Sequence, residues 1–168
     1  MSEEKERKDP VASVAGQIKH LGTGPKAEIA RLGLRPSAAA DGTIYGMLAR
    51  AGVDFQRMQD DEMEAWRVTA FAAAVMSGTR GGPSHGPGYG MGRALRDAGY
   101  SETRLVQLAG NPTRDRIMRA ARLLANGRPY DMHGIRDLAD PDPEIRARAA
   151  RRLVRDYHAA GVRRANTD

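Results

Sequence analysis

Valine, isoleucine and aromatic residues nowhere alternate with polar residues over five or more positions, so the chain carries no period-two strand signal. Apolar residues recur instead at helical intervals, punctuated by Asp, Ser, Pro and Gly where helices start and stop. This spacing predicts an all-α fold of about nine helices. Asp9-Pro10 opens the first, which runs to about Leu21 with Ile18 and Leu21 on one side. Gly24-Pro25 restarts the chain into a short helix, Lys26 to Leu32, and Asp41 is the candidate cap of a third, Thr43 to Ala51. A longer helix is expected from Gln59 to Ser77. Its first turn holds Asp60, Asp61, Glu62 and Glu64, where the helix dipole favours acids. Its interior, with Trp66, Thr69, Ala70, Ala73, Val75 and Met76, has the wide apolar face of a buried helix.

Residues 78–90 break the pattern. Gly-Thr-Arg-Gly-Gly-Pro-Ser-His-Gly-Pro-Gly-Tyr-Gly holds too much glycine and proline to be an element, so it reads as a mobile loop or as a linker. The expected organisation is an N-terminal helical lobe (1–77), the Gly/Pro-rich loop (78–90) and a C-terminal helical lobe (91–168). In the second lobe a helix from Met91 to Ala98 ends at Gly99, and Ser101 caps the next, to Ala109. Asn111-Pro112 starts another to Ala125, closed by Gly127. Asp131 caps a short one to Leu138, and Asp142-Pro143-Glu144 launches the last, to Ala160, ended by Gly161. No internal repeat of fixed period is present.

Charge divides along the same boundary. From residue 80 onward there are seventeen Arg, no Lys and ten Asp or Glu; before it there are ten basic and eleven acidic residues. The net charge of +6 is therefore carried by one half. Such segregation is the electrostatic footprint of a polyanion-binding surface, and a planar guanidinium grips phosphate oxygens in pairs. On the last helix Arg148, Arg151, Arg152 and Arg155 fall within about 100° of arc, with Ala147, Ala150, Leu153, Val154 and Tyr157 mostly opposite. Arg146 falls amid the apolar face, as a side chain that snorkels near the helix start. On the helix from Pro112, Ile117, Ala120, Ala121 and Leu124 share a face, while Arg116, Arg119 and Arg122 lie away from it.

Composition narrows the classes. Cysteine is absent, which removes disulfides and thiolate metal sites. The N-terminal run Met-Ser-Glu-Glu-Lys-Glu-Arg-Lys-Asp lacks the apolar core of a signal peptide, and the longest weakly polar run, Val68 to Met76, is too short to cross a bilayer. A cytoplasmic protein is expected. Its sequence pI of about 10.0 makes nucleic acid or an anionic membrane the natural acidic partner.

The search for reactive chemistry yields little. His20, His85, His133 and His158 are far apart, with no His-x-x-x-His or Glu-x-x-His pair. The P-loop motif does not occur. Gly86-Pro87-Gly88-Tyr89-Gly90-Met91-Gly92 fails the dinucleotide fingerprint in spacing and follows no strand. The Asp60–Glu64 acids read as a solvated first turn rather than a metal site. The expectation is a protein that is not an enzyme, with no cofactor and no metal.

Several segments together resemble a known family. Gly90-Met91-Gly92-Arg93-Ala94-Leu95 is followed by Gly99, then Arg104-Leu105-Val106-Gln107-Leu108, then Arg122-Leu123-Leu124. Upstream lie Gly24-Pro25-Lys26-Ala27-Glu28-Ile29-Ala30-Arg31 and Ile44-Tyr45-Gly46-Met47-Leu48. This ordered set, over roughly residues 11–160, resembles the small subunit of the type I-E CRISPR surveillance complex, the CasB family of Cascade. The resemblance implies an all-helical, non-catalytic subunit. It would sit as a head-to-tail pair beside the large and backbone subunits, supporting guide RNA and target DNA and holding the displaced strand. By position it implies nucleic-acid contact at Lys26, Arg31, Arg93, Arg104 and Arg122, with Arg114 and Arg119 flanking the same region; Arg93 and Arg96, one turn apart behind the glycine loop, independently favour phosphate contact. The chain departs from the family where Ala30 replaces the first of two adjacent arginines, and where Gly110-Asn111-Pro112-Thr113 replaces an often basic turn.

Other readings stand beside these. Arg104 either contacts phosphate or pairs with an acid one turn away, and Arg122 is either a contact or an internal ion-pair partner. The 148–155 row is either a strand-binding groove or a solvated face. Trp66, Met76 and Tyr45 read as core, and Tyr89 as a loop aromatic able to stack on a base. Two rival functions remain open. One is a DNA-binding regulator whose helix-turn-helix is Ser101–Ala109 and Pro112–Ala125. The other is a protein-only adaptor for an acidic partner.

Overall fold

The computed structural model describes residues 9–165, apart from the side chains of 79, 80 and 163–165. The charged N-terminal run before Asp9 lies outside the described residues. Helix α1 spans Pro10–Lys19, α2 Thr23–Ala30, α3 Ala38–Arg50, α4 Asp60–Arg80 and α5 Met91–Asp97. Then come α6 (Glu102–Gly110), α7 (Arg114–Leu124), α8 (His133–Leu138) and α9 (Pro143–Ala165). A 3-10 turn, Arg31–Gly33, follows α2. The fold is all-α. Among the described residues there is no strand, only one isolated parallel bridge between His85 and Tyr130. None of the described helices is long and apolar enough to cross a membrane.

Local chemistry sets most helix ends. Asp9 Oδ1 accepts the Val11 and Ala12 N–H groups at 3.0 and 3.2 Å, ahead of Pro10 at the first helical position. Ser101 caps α6 through the Arg104 N–H. Gly99 leaves α5 at φ 76°, a left-handed conformation that a Cβ would resist.

Several boundaries differ from expectation, each for a physical reason. Helix α2 begins at Thr23, with Pro25 inside its first turn, where a missing N–H costs nothing. Helix α3 begins at Ala38 because Ser37, not Asp41, caps it by accepting the Ala40 N–H. Asp41 is left free to bind Arg67 across the helix pair. Thr113, rather than Asn111-Pro112, caps α7. Gly161 does not stop α9: it sits within the helix where a Cβ would lie 3.1 Å from Arg96 Nη2, so its role is clearance.

Helix α4 is the axis of the molecule. Met63, Ala65, Val68, Ala70, Phe71, Ala72, Ala73, Ala74 and Met76 are all buried, so α4 is apolar on nearly every side beyond its acidic first turn. Packed against it are α1, α2 and α3 from before the glycine-rich segment and α7 and α8 from after it. One apolar cluster runs from Val11 to Tyr157, so the boundary expected at 78–90 falls within a shared core. Trp66 and Met76 are buried as expected, whereas Tyr45 is half-exposed with its ring 5.1 Å from Phe55. The tightest helix contact is α5 on α9. Gly92 lies against the α9 backbone, where a Cβ would overlap the Leu153 carbonyl oxygen and fall 2.8 Å from Tyr157 N. Helix α9 buries Ala149, Leu153, Tyr157 and Ala160. Ala147, expected on that face, is exposed.

Candidate nucleic-acid interface

The eight basic residues singled out in the sequence sort into three groups. Four meet carboxylates. Arg31 pairs with Glu28 at 2.5 Å, and Arg114 binds Glu64 at 2.5 Å and the Leu32 carbonyl. Arg93 stands 3.9 Å from Asp97, and Arg96 3.7 Å from Glu102. These last two contacts are long and open to solvent, and exposed pairs of that kind bind weakly. Two more meet neutral groups. Lys26 Nζ donates to Ser77 Oγ at 3.2 Å, and the Arg122 guanidinium covers the Phe71 ring at 5.4 Å, against Gly33. Arg104 and Arg119 are exposed and form no ion pair among the described residues. Glu102, two positions before Arg104 and therefore off its face of α6, faces Arg96.

Arg104 has a basic neighbour. Its charge and that of Arg116 both act on the Tyr100 hydroxyl, although burial is the stronger influence and raises the Tyr100 pKa. Arg116 Nη1 donates to the Asn111 carbonyl at 2.9 Å, which holds this guanidinium at the corner between α6 and α7. Arg119 follows Arg116 by one turn. Arg104, on the first turn of α6, and Arg116, on the first turn of α7, thus both come near Tyr100. Helix α6 packs principally on α9 and α7 on α4, unlike the mutually packed pair of a helix-turn-helix.

On α9, Arg148 and Arg151 are exposed without ion pairs among the described residues. Arg152 lies 4.0 Å from Asp137, and Arg155 is held by its neighbour Asp156 at 2.9 Å. Arg146 donates to the carbonyls of Asp140 and Pro141 at 2.7 and 2.6 Å, fastening the loop before its own helix. Arg67 and Arg114 line a cleft of about 430 Å³ with Arg35, Asp41 and Glu64. Arg67 is answered from within, at 2.8 Å by Asp41 and 3.2 Å by Glu64. That cleft is an internal ion-pair network more than an anion site.

The glycine-rich segment is clasped onto the chain between α7 and α8. Gly86 N donates to the Tyr130 carbonyl at 2.9 Å and Asp131 N to the Tyr89 carbonyl at 2.8 Å. A Cβ on Gly86 would collide with the Pro129 backbone, so only glycine permits this approach. Ser84 is buried with its hydroxyl on the Ala15 carbonyl at 3.2 Å. Tyr89, read from sequence as a loop aromatic able to stack on a base, is 4 % exposed. Its hydroxyl donates to Asp97 at 2.6 Å, and Arg128 lies over its ring at 3.9 Å.

The same clasp gathers two histidines that lie 48 positions apart in the chain. His133 Nδ1 is 2.7 Å from Asp131 and its Nε2 is 3.0 Å from Asp9, the cap of α1. Both nitrogens can donate only if the ring is protonated. Burial opposes that charge, but the hydrogen bond and charge of Asp131, with help from Asp9, outweigh it and hold the His133 pKa above the ordinary imidazole value. Burial likewise pushes Asp9 up, yet the Ala12 N–H and His133 together bring its pKa below the usual carboxylate range. Burial pushes the His85 pKa below the ordinary imidazole value, and its Nδ1 accepts the Met132 N–H at 3.1 Å, which a neutral ring does. Asp9, His85 and His133 are close enough to surround a metal ion. Their donor atoms do not fit the task. A neutral His85 that accepts at Nδ1 carries its proton on Nε2, and both His133 nitrogens already serve carboxylates.

No family model, curated protein or solved structure matches this chain.

Proposed function

We propose that this chain is a cytoplasmic, non-catalytic small subunit of a type I-E CRISPR RNA-guided surveillance complex, supporting guide RNA and target DNA and holding the displaced strand. The ordered set of segments from Gly24 to Leu124 suggests the family, and an all-α fold is consistent with it. The observation that carries the reading is that Arg104, Arg119, Arg148 and Arg151 stand exposed without a carboxylate among the described residues. Ion pairing inside the molecule would spend such charges; these remain available to phosphate. Lys26, Arg114 and Arg122 then act mainly in holding the fold together, Arg31 is tied locally to Glu28, and the phosphate-facing set shifts toward α6, α7 and α9. Affinity in the assembly comes from several weak backbone contacts and from neighbouring large and backbone subunits and a second copy.

Expression of the tagged chain with the remaining subunits and a guide RNA tests this reading. Recovery of guide RNA and large subunit on the tag, with R-loop lifetime shortened by Arg104→Ala plus Arg119→Ala, is the expected result. Failure to join any guide-RNA complex counts against it.

A further inference from the structure

The sequence singled out Arg93 but passed over Arg128, and the structure brings the two onto one ring. Arg128 Cζ lies 3.9 Å from the centroid of Tyr89 and Arg93 Cζ 5.4 Å from it. Tyr89 is itself immobilised. Its hydroxyl binds Asp97 at 2.6 Å, burial with that bond raises its pKa to about 12, and its backbone is stitched to Gly86 and Asp131. Arg128 is exposed and makes no ion pair among the described residues. Asp97, the carboxylate of this cluster, is already engaged by the Tyr89 hydroxyl and, at 3.9 Å, by Arg93.

We propose that Arg93 and Arg128, held on the buried Tyr89 ring, form a binding site for the phosphodiester backbone of a single-stranded nucleic acid, with Tyr89 as its positioning residue. A free arginine loses much rotamer freedom when it grips phosphate. An aromatic ring that already holds the guanidinium removes part of that cost, and the fork stays charged. The glycine-rich segment therefore serves to place Tyr89 under Arg128. Gly86 permits the close approach to Pro129 that brings the two chain segments side by side. This inference rests on the polyanion reading above and names where on the molecule one backbone contact is made.

The test is fluorescence anisotropy of the full chain with 20-nucleotide oligo-dT and oligo-rU across a salt series, with melting followed by the fluorescence of Trp66. Arg128→Ala should weaken binding about five- to tenfold at low salt and make the salt slope shallower by about 0.7, the share of one phosphate. Tyr89→Leu should match that loss, and adding Arg128→Ala to it should cost nothing further, because the ring acts through the guanidinium. Tyr89→Phe should restore most of the binding, and Arg128→Lys should not, since an ammonium lacks the planar fork. Equal effects on both oligonucleotides indicate a backbone contact common to RNA and DNA; loss on one alone assigns the site to that strand. If Arg104→Ala with Arg119→Ala weakens binding while Arg128→Ala and Arg93→Ala bind as wild type, the clamp is wrong and the polyanion reading stands. If the wild-type chain shows no salt-dependent binding, both fall. Because Arg128 is exposed, its replacement remains informative even if Tyr89→Leu impairs folding.

Discussion

Two glycine-to-alanine substitutions should have opposite signs. At Gly92 a methyl group would overlap the Leu153 carbonyl oxygen and stand 2.8 Å from Tyr157 N, against an ordinary contact distance of about 3.5–4 Å. Both obstacles are α9 backbone, which cannot rotate away, so α5 must withdraw by roughly 1 Å. That withdrawal loosens Met91 and Leu95, both buried. Overpacking of this kind costs about 1–3 kcal/mol, and the upper end applies where backbone is the obstacle. For a chain of this length about 3 kcal/mol lowers Tm by roughly 6–12 °C. At Gly16, exposed in the middle of α1, an added Cβ meets nothing within 4 Å. There alanine should stabilise by about 0.5–1 kcal/mol through reduced freedom of the unfolded chain. Denaturant unfolding followed by the fluorescence of Trp66, the single tryptophan, measures both. Gly92→Ala as stable as wild type would refute the close α5–α9 approach.

Three further outcomes follow from named contacts. Since His133 titrates above its unfolded value, its contribution to stability is full below the ordinary imidazole pKa of about 6.5 and disappears as pH rises through the raised folded value. Asp9→Asn, which keeps the cap of α1, should lower the His133 pKa by NMR titration and reduce Tm near pH 6 more than near pH 9; equal losses at both would contradict the imidazolium bridge. The Tyr130 hydroxyl is buried with no hydrogen-bond partner among the described residues, so Tyr130→Phe should be at least as stable as wild type in thermal melts. Ser37→Ala should cost about 1 kcal/mol in denaturant unfolding, as the cap of α3 that also donates to Glu28 at 3.1 Å.

What could be read from sequence was whatever is decided locally. The caps Asp9 and Ser101, the stop at Gly99 and the wide apolar face of α4 depend on neighbours within a turn or two, and all were legible. The start of α3 was not, because Ala38-Ala39-Ala40 carries no amphipathic signal to place Ser37 ahead of it. Gly161 looked like a stop because a glycine that makes room for Arg96 and one that ends a helix are the same letter. The site was harder still. Whether an arginine faces solvent or an acid depends on partners distant in the chain, as with Arg114 and Glu64, 50 residues apart, or His133 and Asp9, 124 apart. No spacing rule reports such pairs. Arg128 escaped notice for the same reason, since its platform is 39 positions upstream.

The central claim is that guanidinium groups left without carboxylates bind a polynucleotide backbone without reading its bases. The salt dependence of binding, measured on two single strands of unrelated sequence, tests it most directly. Arg104, Arg119, Arg128, Arg148 and Arg151, with Arg93 whose contact to Asp97 is long and solvent-exposed, offer about six phosphate contacts, which gives a slope of log K against log salt near −4 on both strands. A slope shallower than about −1, or one that changes with sequence, would contradict it.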